Sequence, residues 1–295
     1  MPPRDPQSGV VLINVLVTLA LASAVLYAMI SLSDLSIARS QRYSEAAQAQ
    51  ALIAAAEASL ISALARDMIE APETDNLTEG WARIAQQPVS IAGGSFALVI
   101  EDAQARINLN SDAMRGAQGA QTLRRVGDAL DLPADVAARV RARLAQRMPL
   151  NRLGDLSAEA GLTPAEVAAL ARFLTVLPTS TDVNLNTAPE EVIGVLTGSL
   201  TQAASLIAIR NRNGSLTPQD VEQARMIPPP GIGFTSSWFR ATTTVRVGTT
   251  TQQISSLIQR SVGSEGQGHV AVVARETPFH GSPLSWTAGG GGVDR

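Results

Sequence analysis

The sequence predicts an α+β fold in which one long N-terminal helix packs on an antiparallel sheet and an all-α domain is inserted between the strands. Three observations indicate this order of elements. An apolar N-terminal run continues to residue 68 as a helical pattern without glycine or proline. Strands are predicted within residues 95–110, first as a buried apolar run and then as an alternating one, and within residues 239–275, and the segment between them carries repeated helix-start signals.

The amino-acid composition excludes several classes of enzyme. The 295 residues include no cysteine, and all 23 basic side chains are arginine. Without lysine there is no P-loop or Schiff-base chemistry, and without cysteine there is no thiol nucleophile, zinc knuckle or disulfide. The net charge of -3 is opposite to the basic excess typical of a dedicated nucleic-acid binder. We therefore predict a non-catalytic protein with no certain cofactor.

The N-terminal segment is long and apolar enough to cross a membrane. From Val10 to Leu32 the chain carries no charge, and this length spans about 35 Å as a helix against roughly 30 Å of hydrocarbon core. Three interpretations compete: a cleaved secretory signal, an uncleaved single-span anchor, and a prepilin-type leader that a peptidase removes after Gly9. The helical pattern over residues 33–68 disfavours a secretory signal, whereas the arginines on the two sides of the span give no orientation.

The remaining chain divides into strand-rich and helix-rich regions. Strands are predicted at Ser95–Ile100, after a Gly93-Gly94 turn, and at Arg106–Asn110. In chain order the predicted parts are a leader (1–9), the transmembrane half of the N-terminal helix (10–32), the rest of that helix with the first strands (33–110), an inserted helical domain (111–226), C-terminal strands (227–275) and a flexible glycine-rich tail (276–295).

Helix starts in the inserted domain are marked by capping-box patterns, in which a threonine and an acidic residue three positions later satisfy each other's backbone amides. They begin at Thr163, Thr187 and Thr217, each with a proline in the first turn. Another helix is predicted over residues 133–148. Its buried face would carry Val136, Val140, Leu144 and Met148, and its solvated face Arg139, Arg143 and Arg147.

Residues 182–223 resemble the helix-hairpin-helix module of competence-type DNA-uptake proteins. In that module, the backbone amides of a glycine hairpin bind a DNA phosphate. The expected hairpin is Thr197–Leu200, with one glycine missing, and Gly231–Gly233 offers a second hairpin beside three prolines. Acidic side chains outnumber arginines between residues 182 and 233, which disfavours a phosphate-binding face. We therefore expect an interaction domain that binds no nucleic acid.

Three sequence motifs, together with the N-terminal segment, resemble those of the type II secretion system protein K family, the large minor pseudopilins. The motifs are Ile100–Asp102, Arg106–Asn110 and VNLNTAPEEV, which starts at Val183. The resemblance covers the chain from Gly9 to about Arg275. It implies a pilin-like fold with an inserted helix-hairpin-helix or SAM-like domain, at the tip of a periplasmic pseudopilus that drives export of folded proteins. The positions that it marks as structural are Glu101, Asp102, Asn108, Asn110, Asn184, Asn186, Thr187 and Pro189.

The same resemblance implies how such a subunit is processed and what it contacts. A prepilin peptidase would cut after Gly9, and the new N-terminal residue, Val10, would be N-methylated. Partners would be the minor pseudopilins of types I and J at the tip, with the major pseudopilin below. The chain would cross the bacterial inner membrane once, with its C-terminal bulk in the periplasm. Calcium binding through acidic loops is also implied, and the candidate ligands, each of which can equally be a cap or a solvated charge, are Asp102, Asp182, Asp220 and Glu222.

Position five after the cleavage site gives a physical reason for a tip location. The resemblance implies that most pilins and pseudopilins have a glutamate there, paired with the N-terminal ammonium of the next subunit toward the tip. Here the residue is Asn14. A subunit with nothing above it has no ammonium to neutralise, and a buried unpaired carboxylate would cost several kcal/mol. Asn14 therefore fits a tip subunit; it can also be a tolerated polar residue in a transmembrane helix.

The sequence thus favours a minor pseudopilin and leaves two other functions open. One is a membrane-tethered DNA-uptake protein that uses the helix-hairpin-helix module. The other is an anchored periplasmic domain without a filament role, which predicts an uncleaved N-terminus.

Overall fold

One helix of 64 residues, α1 (Gln7–Glu70), forms the N-terminal part of the chain. The computed structural model of the protein describes residues 7–224, 228–263 and 267–277. Helix α1 is roughly 95 Å long, and its first part is apolar enough to cross a membrane, with none of that segment buried against the rest of the protein. The second part is amphipathic, and its buried positions recur every three or four residues at Ala49, Ile53, Ala56, Leu60 and Leu64.

The second part of α1 packs on a five-stranded antiparallel sheet. The strands are β1 (Gln86–Ile91), β2 (Gly94–Asp102), β7 (Trp238–Val247), β8 (Thr250–Val262) and β9 (Gly268–Glu276), in the spatial order β1-β2-β7-β8-β9. A short helix, α2 (Gly80–Arg83), precedes β1 and buries Trp81 edge-on against Phe239, with ring centroids 5.0 Å apart. Alternate β7 residues face α1, and the sheet and the helix bury two apolar clusters between them, both of which pack against Phe96.

A separate domain is inserted between β2 and β7 and has its own apolar core. Its elements are a 3₁₀ turn (Ala103–Ala105), β3 (Ile107–Asn108), a second 3₁₀ turn (Asp112–Met114), α3 (Ala117–Ala129), α4 (Ala134–Leu144), α5 (Asp155–Glu159), α6 (Pro164–Leu170), β4 (Leu174–Thr175), β5 (Val183–Asn184), α7 (Glu190–Thr197), α8 (Leu200–Asn213), α9 (Pro218–Gln223) and β6 (Ile232–Gly233).

The inserted domain consists of two units of similar design. In each, a two-residue strand leads into several helices and then pairs in parallel with a second two-residue strand: β3 with β4, and β5 with β6. A left-handed residue follows the first long helix of each unit, Asp131 after α3 and Gly198 after α7. The sequence phrases INLN and VNLN start the two units, so the pattern that they share marks a structural repeat.

The α+β prediction is confirmed, and five local predictions about the inserted domain are wrong. Residues 106–110 form only the two-residue strand β3, which pairs with β4 and not with the five-stranded sheet. Helix α4 ends at Leu144, so Met148 is exposed. Arg143 is buried, because its guanidinium pairs with Glu159 and donates to the Met148 carbonyl at 2.8 Å.

Two further differences concern the predicted helix starts and hairpins. The capping boxes at Thr163 and Thr217 are present, whereas Thr187 does not cap a helix: α7 starts at Glu190 after Pro189, which has no side-chain cap. The segment Gly231–Gly233 contributes strand β6, not a helical hairpin. The predicted tail over residues 276–295 lies almost entirely outside the described residues, as does most of the predicted leader.

Candidate functional site

The exposed N-terminal segment contains the predicted processing and tip residues. Gly9 and Val10 lie in the first turns of α1, and Asn14 follows one turn later. The Asn14 carbonyl accepts a hydrogen bond from the Thr18 hydroxyl at 2.8 Å, and the Asn14 side chain is exposed. A helix face of this kind, uncovered by the rest of the chain, can bury its apolar side chains only in lipid or against other helices.

The predicted residue Asp102 organises a buried polar cluster where β2 enters the inserted domain. Its carboxylate accepts four hydrogen bonds: from the Gln104 amide (2.7 Å), the Asn184 side-chain amide (2.9 Å), the Thr187 hydroxyl (2.5 Å) and the Ser236 hydroxyl (2.6 Å). We call these five residues the Asp102 cluster. Burial raises the pKa of Asp102, and the four donors oppose that shift. Because Asp102 is the last residue of β2 and its four donors lie in the segment between β2 and β7, the cluster joins the insertion to the sheet.

Asn108 and Asn110 hold the first unit of the insertion together. The Asn108 side-chain oxygen accepts from the amides of Asn110 and Leu177, both at 3.0 Å, while its amide donates to the Thr179 carbonyl at 2.8 Å. The Asn110 side chain makes two hydrogen bonds with the backbone of Leu150: it accepts from the amide and donates to the carbonyl, both at 2.9 Å.

Asn184 and Asn186 repeat this arrangement in the second unit. The Asn184 oxygen accepts from the Asn186 amide at 2.9 Å. The Asn186 side chain makes the same pair of hydrogen bonds with the backbone of Leu216, accepting from the amide at 2.5 Å and donating to the carbonyl at 3.2 Å. All four asparagines satisfy buried backbone groups, so their role is structural.

The two remaining motif residues are more exposed. Glu101 forms an ion pair with Arg106 at 3.3 Å, with both side chains more than one-third exposed. Pro189 precedes α7, and its carbonyl accepts the Ile193 amide at 3.1 Å.

The hairpin predicted at Thr197–Leu200 is present between α7 and α8. Gly198 has a φ of +71°, and Ser199 caps α8 by accepting the Gln202 amide. The hairpin is occupied by protein: Arg125 donates to the carbonyls of Val195 and Leu196, and a Cβ on Gly198 would come within 2.6 Å of its guanidinium.

The arginines near this hairpin are held by protein groups. Arg210 is half-buried and donates to the carbonyls of Leu185 and Ala188, both at 2.8 Å. Arg172 pairs with Glu191 at 2.8 Å beside the hairpin. Neither arrangement leaves a guanidinium directed at a phosphate.

The four acidic residues named as candidate calcium ligands do not form a site. The Asp102 oxygens are filled by their donors, and Asp220 completes the capping box with Thr217. Asp182 and Glu222 are exposed, and within the described residues neither belongs to a group of acidic side chains close enough to share an ion.

A different set of carboxylates, which the sequence did not indicate, does converge. One oxygen each of Asp67, Asp75 and Glu79 lies within 4.8 Å of the others. Arg260 of β8 pairs with Asp67 at 3.0 Å and with Asp75. We call these four residues the acidic cluster. Burial, and after it the charges of Glu79 and Asp75, raise the pKa of Asp67 to about 7.

Neutral donors surround the third carboxylate of the acidic cluster. Glu79 accepts hydrogen bonds from Thr74 (3.2 Å), Asn76 (2.6 Å) and the Trp81 indole (2.9 Å). Its pKa is raised, chiefly by burial. The Asn184 side chain links the two clusters, since its amide donates to the backbone carbonyl of Asp75 as well as to the carboxylate of Asp102.

Comparison with known proteins finds a similar solved structure. No protein-family model and no curated protein matches the chain. The chain is similar to the GspK subunit in the crystal structure of the GspK–GspI–GspJ complex from the type 2 secretion system of enterotoxigenic Escherichia coli, with a TM-score of 0.63 and 19% sequence identity. The alignment covers 81% of this chain and 99% of that one. The chain therefore has the α+β, pilin-like fold of GspK, a minor pseudopilin.

Proposed function

We propose that the chain is a K-type minor pseudopilin, a non-catalytic subunit that caps the tip of the periplasmic pseudopilus of a type II secretion system. One observation carries the proposal: a helix-and-sheet framework is interrupted between β2 and β7 by a helical domain, an order that matches nearly the full length of GspK. An insertion of this size enlarges one end of the subunit. At a filament tip such a domain has room, whereas inside the filament it would obstruct the next subunit.

The exposed part of α1 supports the assembly step of this proposal. As a precursor, the chain would lie in the inner membrane with its sheet and insertion in the periplasm. After cleavage behind Gly9 and methylation of Val10, the same apolar surface would pack against the helices of neighbouring subunits. Asn14 carries no charge into that packing, which suits a subunit with no ammonium above it.

The partners follow from the same arrangement. The solved complex contains GspI and GspJ together with GspK, so we propose the corresponding minor pseudopilins as the direct neighbours of this chain. The major pseudopilin would lie below them, and the prepilin peptidase would act on the precursor.

The mature N-terminus tests the proposal. We expect mass spectrometry of membrane-extracted protein to find a start at Val10 with one added methyl group, and only when the prepilin peptidase is present. A Gly9→Val variant should keep its leader, because a branched side chain obstructs a cleavage site built for glycine, whereas the neighbouring Ser8→Ala variant should be processed.

The other outcomes contradict the proposal in distinct ways. A start at Met1 with active peptidase would indicate an anchored module without a filament role. A start near Val25 would indicate a secretory signal, and the argument from Asn14 would then fail.

A further inference from the structure

We propose that Asp67 and Asp75 share one proton, and that this proton makes the attachment of α1 to the sheet sensitive to pH. The first reason is geometric. Asp75 is fully buried; its Oδ2 accepts hydrogen bonds from the Ser236 amide at 2.6 Å and from Arg260, whereas its Oδ1 is shielded from solvent and has no partner within the part of the chain that the structure describes. An Asp67 oxygen lies within 4.8 Å of an Asp75 oxygen. A protonated Asp67 is a donor and would supply the missing hydrogen bond.

The balance of charge is the second reason. Fully ionised, Asp67, Asp75 and Glu79 would carry three negative charges, and among the described residues Arg260 is the one basic side chain within ion-pair distance of them. Two carboxylates in one buried site disfavour the ionisation of each other. One proton shared between Asp67 and Asp75 leaves that pair with a single negative charge, which Arg260 neutralises.

The hydrogen bonds of Glu79 disfavour it as the site of the proton. One of its oxygens accepts from the Asn76 side-chain amide at 2.6 Å and the other from the Trp81 indole at 2.9 Å. Neither donor can accept a hydrogen bond in return, so both Glu79 oxygens have to act as acceptors. The proton therefore belongs between Asp67 and Oδ1 of Asp75.

The surroundings of the pair act in the same direction. Burial is the largest cause that raises the pKa of Asp67 to about 7; the charges of Glu79 and Asp75 and a hydrogen bond with Asp75 add to it, and the charge of Arg260 opposes it. The buried Asp102 is separated from Asp75 by groups that bind both residues. The other charged or titratable side chains near this end of α1 are exposed, so solvent screens them: Arg66 and Glu70 of α1, Glu73 of the following segment, Arg83 of α2 and His269 of β9.

The position of the pair defines what the proton would control. Asp67 belongs to the last turn of α1, Asp75 to the segment that follows it, and Arg260 to β8. Asp75 also binds the Ser236 amide, which precedes β7, and its backbone carbonyl accepts from Asn184 of the insertion. Asp67 lines a groove of about 550 Å³, through which the proton can exchange with water. Loss of the proton would leave two ionised carboxylates beside one arginine, so the attachment of α1 to the sheet and the insertion would weaken as the pH rises.

Thermal unfolding of Asp75→Asn tests the inference, because an amide reproduces the protonated pair. Its oxygen can accept from Ser236 and Arg260, and its nitrogen can donate to Asp67 in place of the proton. A raised folded-state pKa contributes stability that is present below the unfolded value of 3.8 and is lost as the pH rises to the folded value of about 7. For the full-length chain in detergent with EDTA, we expect the Tm of Asp75→Asn to gain about 5 °C on that of the unchanged chain between about pH 5 and about pH 8. Glu73→Gln, which removes an exposed carboxylate of the same segment, is the matched control and should follow the unchanged chain.

Infrared spectroscopy of the unchanged chain detects the proton itself and keeps the test decisive if Asp75→Asn fails to fold. At about pH 6, carboxyl groups with ordinary pKa values are ionised, so we expect the carbonyl absorption of a protonated carboxyl that is lost with a midpoint near pH 7 and is missing from Asp75→Asn. A Tm difference that does not change with pH, or absence of this absorption from the unchanged chain, would overturn the inference. Loss of the absorption on addition of a divalent cation at constant pH would also overturn it, because a metal ion would then replace the proton. The outcome does not depend on the filament role.

Discussion

The Asp102 cluster and the acidic cluster are both buried, both lie where the two domains meet, and both involve Ser236 and Asn184. They differ in how the negative charge is satisfied. Asp102 receives four hydrogen bonds from neutral groups, whereas one Asp75 oxygen finds no hydrogen-bond partner among the described residues and lies near two other carboxylates. A lone buried carboxylate with a full set of donors is a stable structural link. In the acidic cluster one arginine stands beside three carboxylates, and burial together with the charges of Glu79 and Asp75 raises the pKa of Asp67 to about 7.

Removing Asp102 should have the largest effect on stability. Asp102→Ala leaves four donors without their common acceptor, and we expect it to lower the free energy of unfolding by about 3–5 kcal/mol. Urea unfolding of the full-length chain in detergent, followed by tryptophan fluorescence, measures this loss. The adjacent Glu101→Ala, which removes a partly exposed ion pair, should cost no more than about 1 kcal/mol. Equal losses in the two variants would contradict the special role of Asp102.

Glu57 of α1, outside both clusters, has a lowered pKa, whereas the pKa of Asp67 in the acidic cluster is raised. Arg275 donates to both oxygens of Glu57 at 2.8 and 2.7 Å, and Ser256 donates at 2.6 Å. Arg275 is the main cause that lowers the pKa of Glu57, while burial opposes it. A lowered folded-state pKa contributes stability that is present above the unfolded value of 4.5 and is lost as the pH falls through the folded value.

Thermal unfolding at different pH values should therefore separate Glu57→Gln from the unchanged chain. At about pH 6 we expect the variant to be less stable by about 1 kcal/mol, a small effect because Arg275 is solvent-exposed. The difference should shrink on acidification to about pH 3. Glu70→Gln, at the exposed end of the same helix, is the control, and a pH-independent difference for Glu57→Gln would argue against the ion pair.

The smallest expected effect concerns nucleic acid. The hairpin between α7 and α8 has helix-hairpin-helix geometry, but Arg125 occupies it and Arg210 is held by carbonyl groups. A chain starting near Ser44 should therefore show no binding to duplex DNA at low salt in a fluorescence anisotropy assay. Binding that weakens as the salt concentration rises would restore the DNA-uptake hypothesis.

The sequence predicted correctly those helices and strands whose conformation depends on residues close together along the chain. Helix α1 follows from an unbroken run without glycine or proline, and β7 from strict alternation between Phe239 and Val247. The capping boxes at Thr163 and Thr217 close over three residues. Strand β1 escaped prediction because it contains Pro88 and few apolar residues, and its pairing with β2 forms it.

The sequence by itself determined the class of fold, the apolar N-terminal segment and the motif positions at which the domains are joined. The tertiary structure alone decided what those positions contact. Thr187 has the spacing of a helix cap, yet its hydroxyl binds Asp102, 85 residues earlier. Arg260 meets Asp67 across 193 residues of chain. Helical and strand periodicity report only which side of an element faces the core, whereas a buried charge is satisfied by whichever distant segments the packed layers bring beside it.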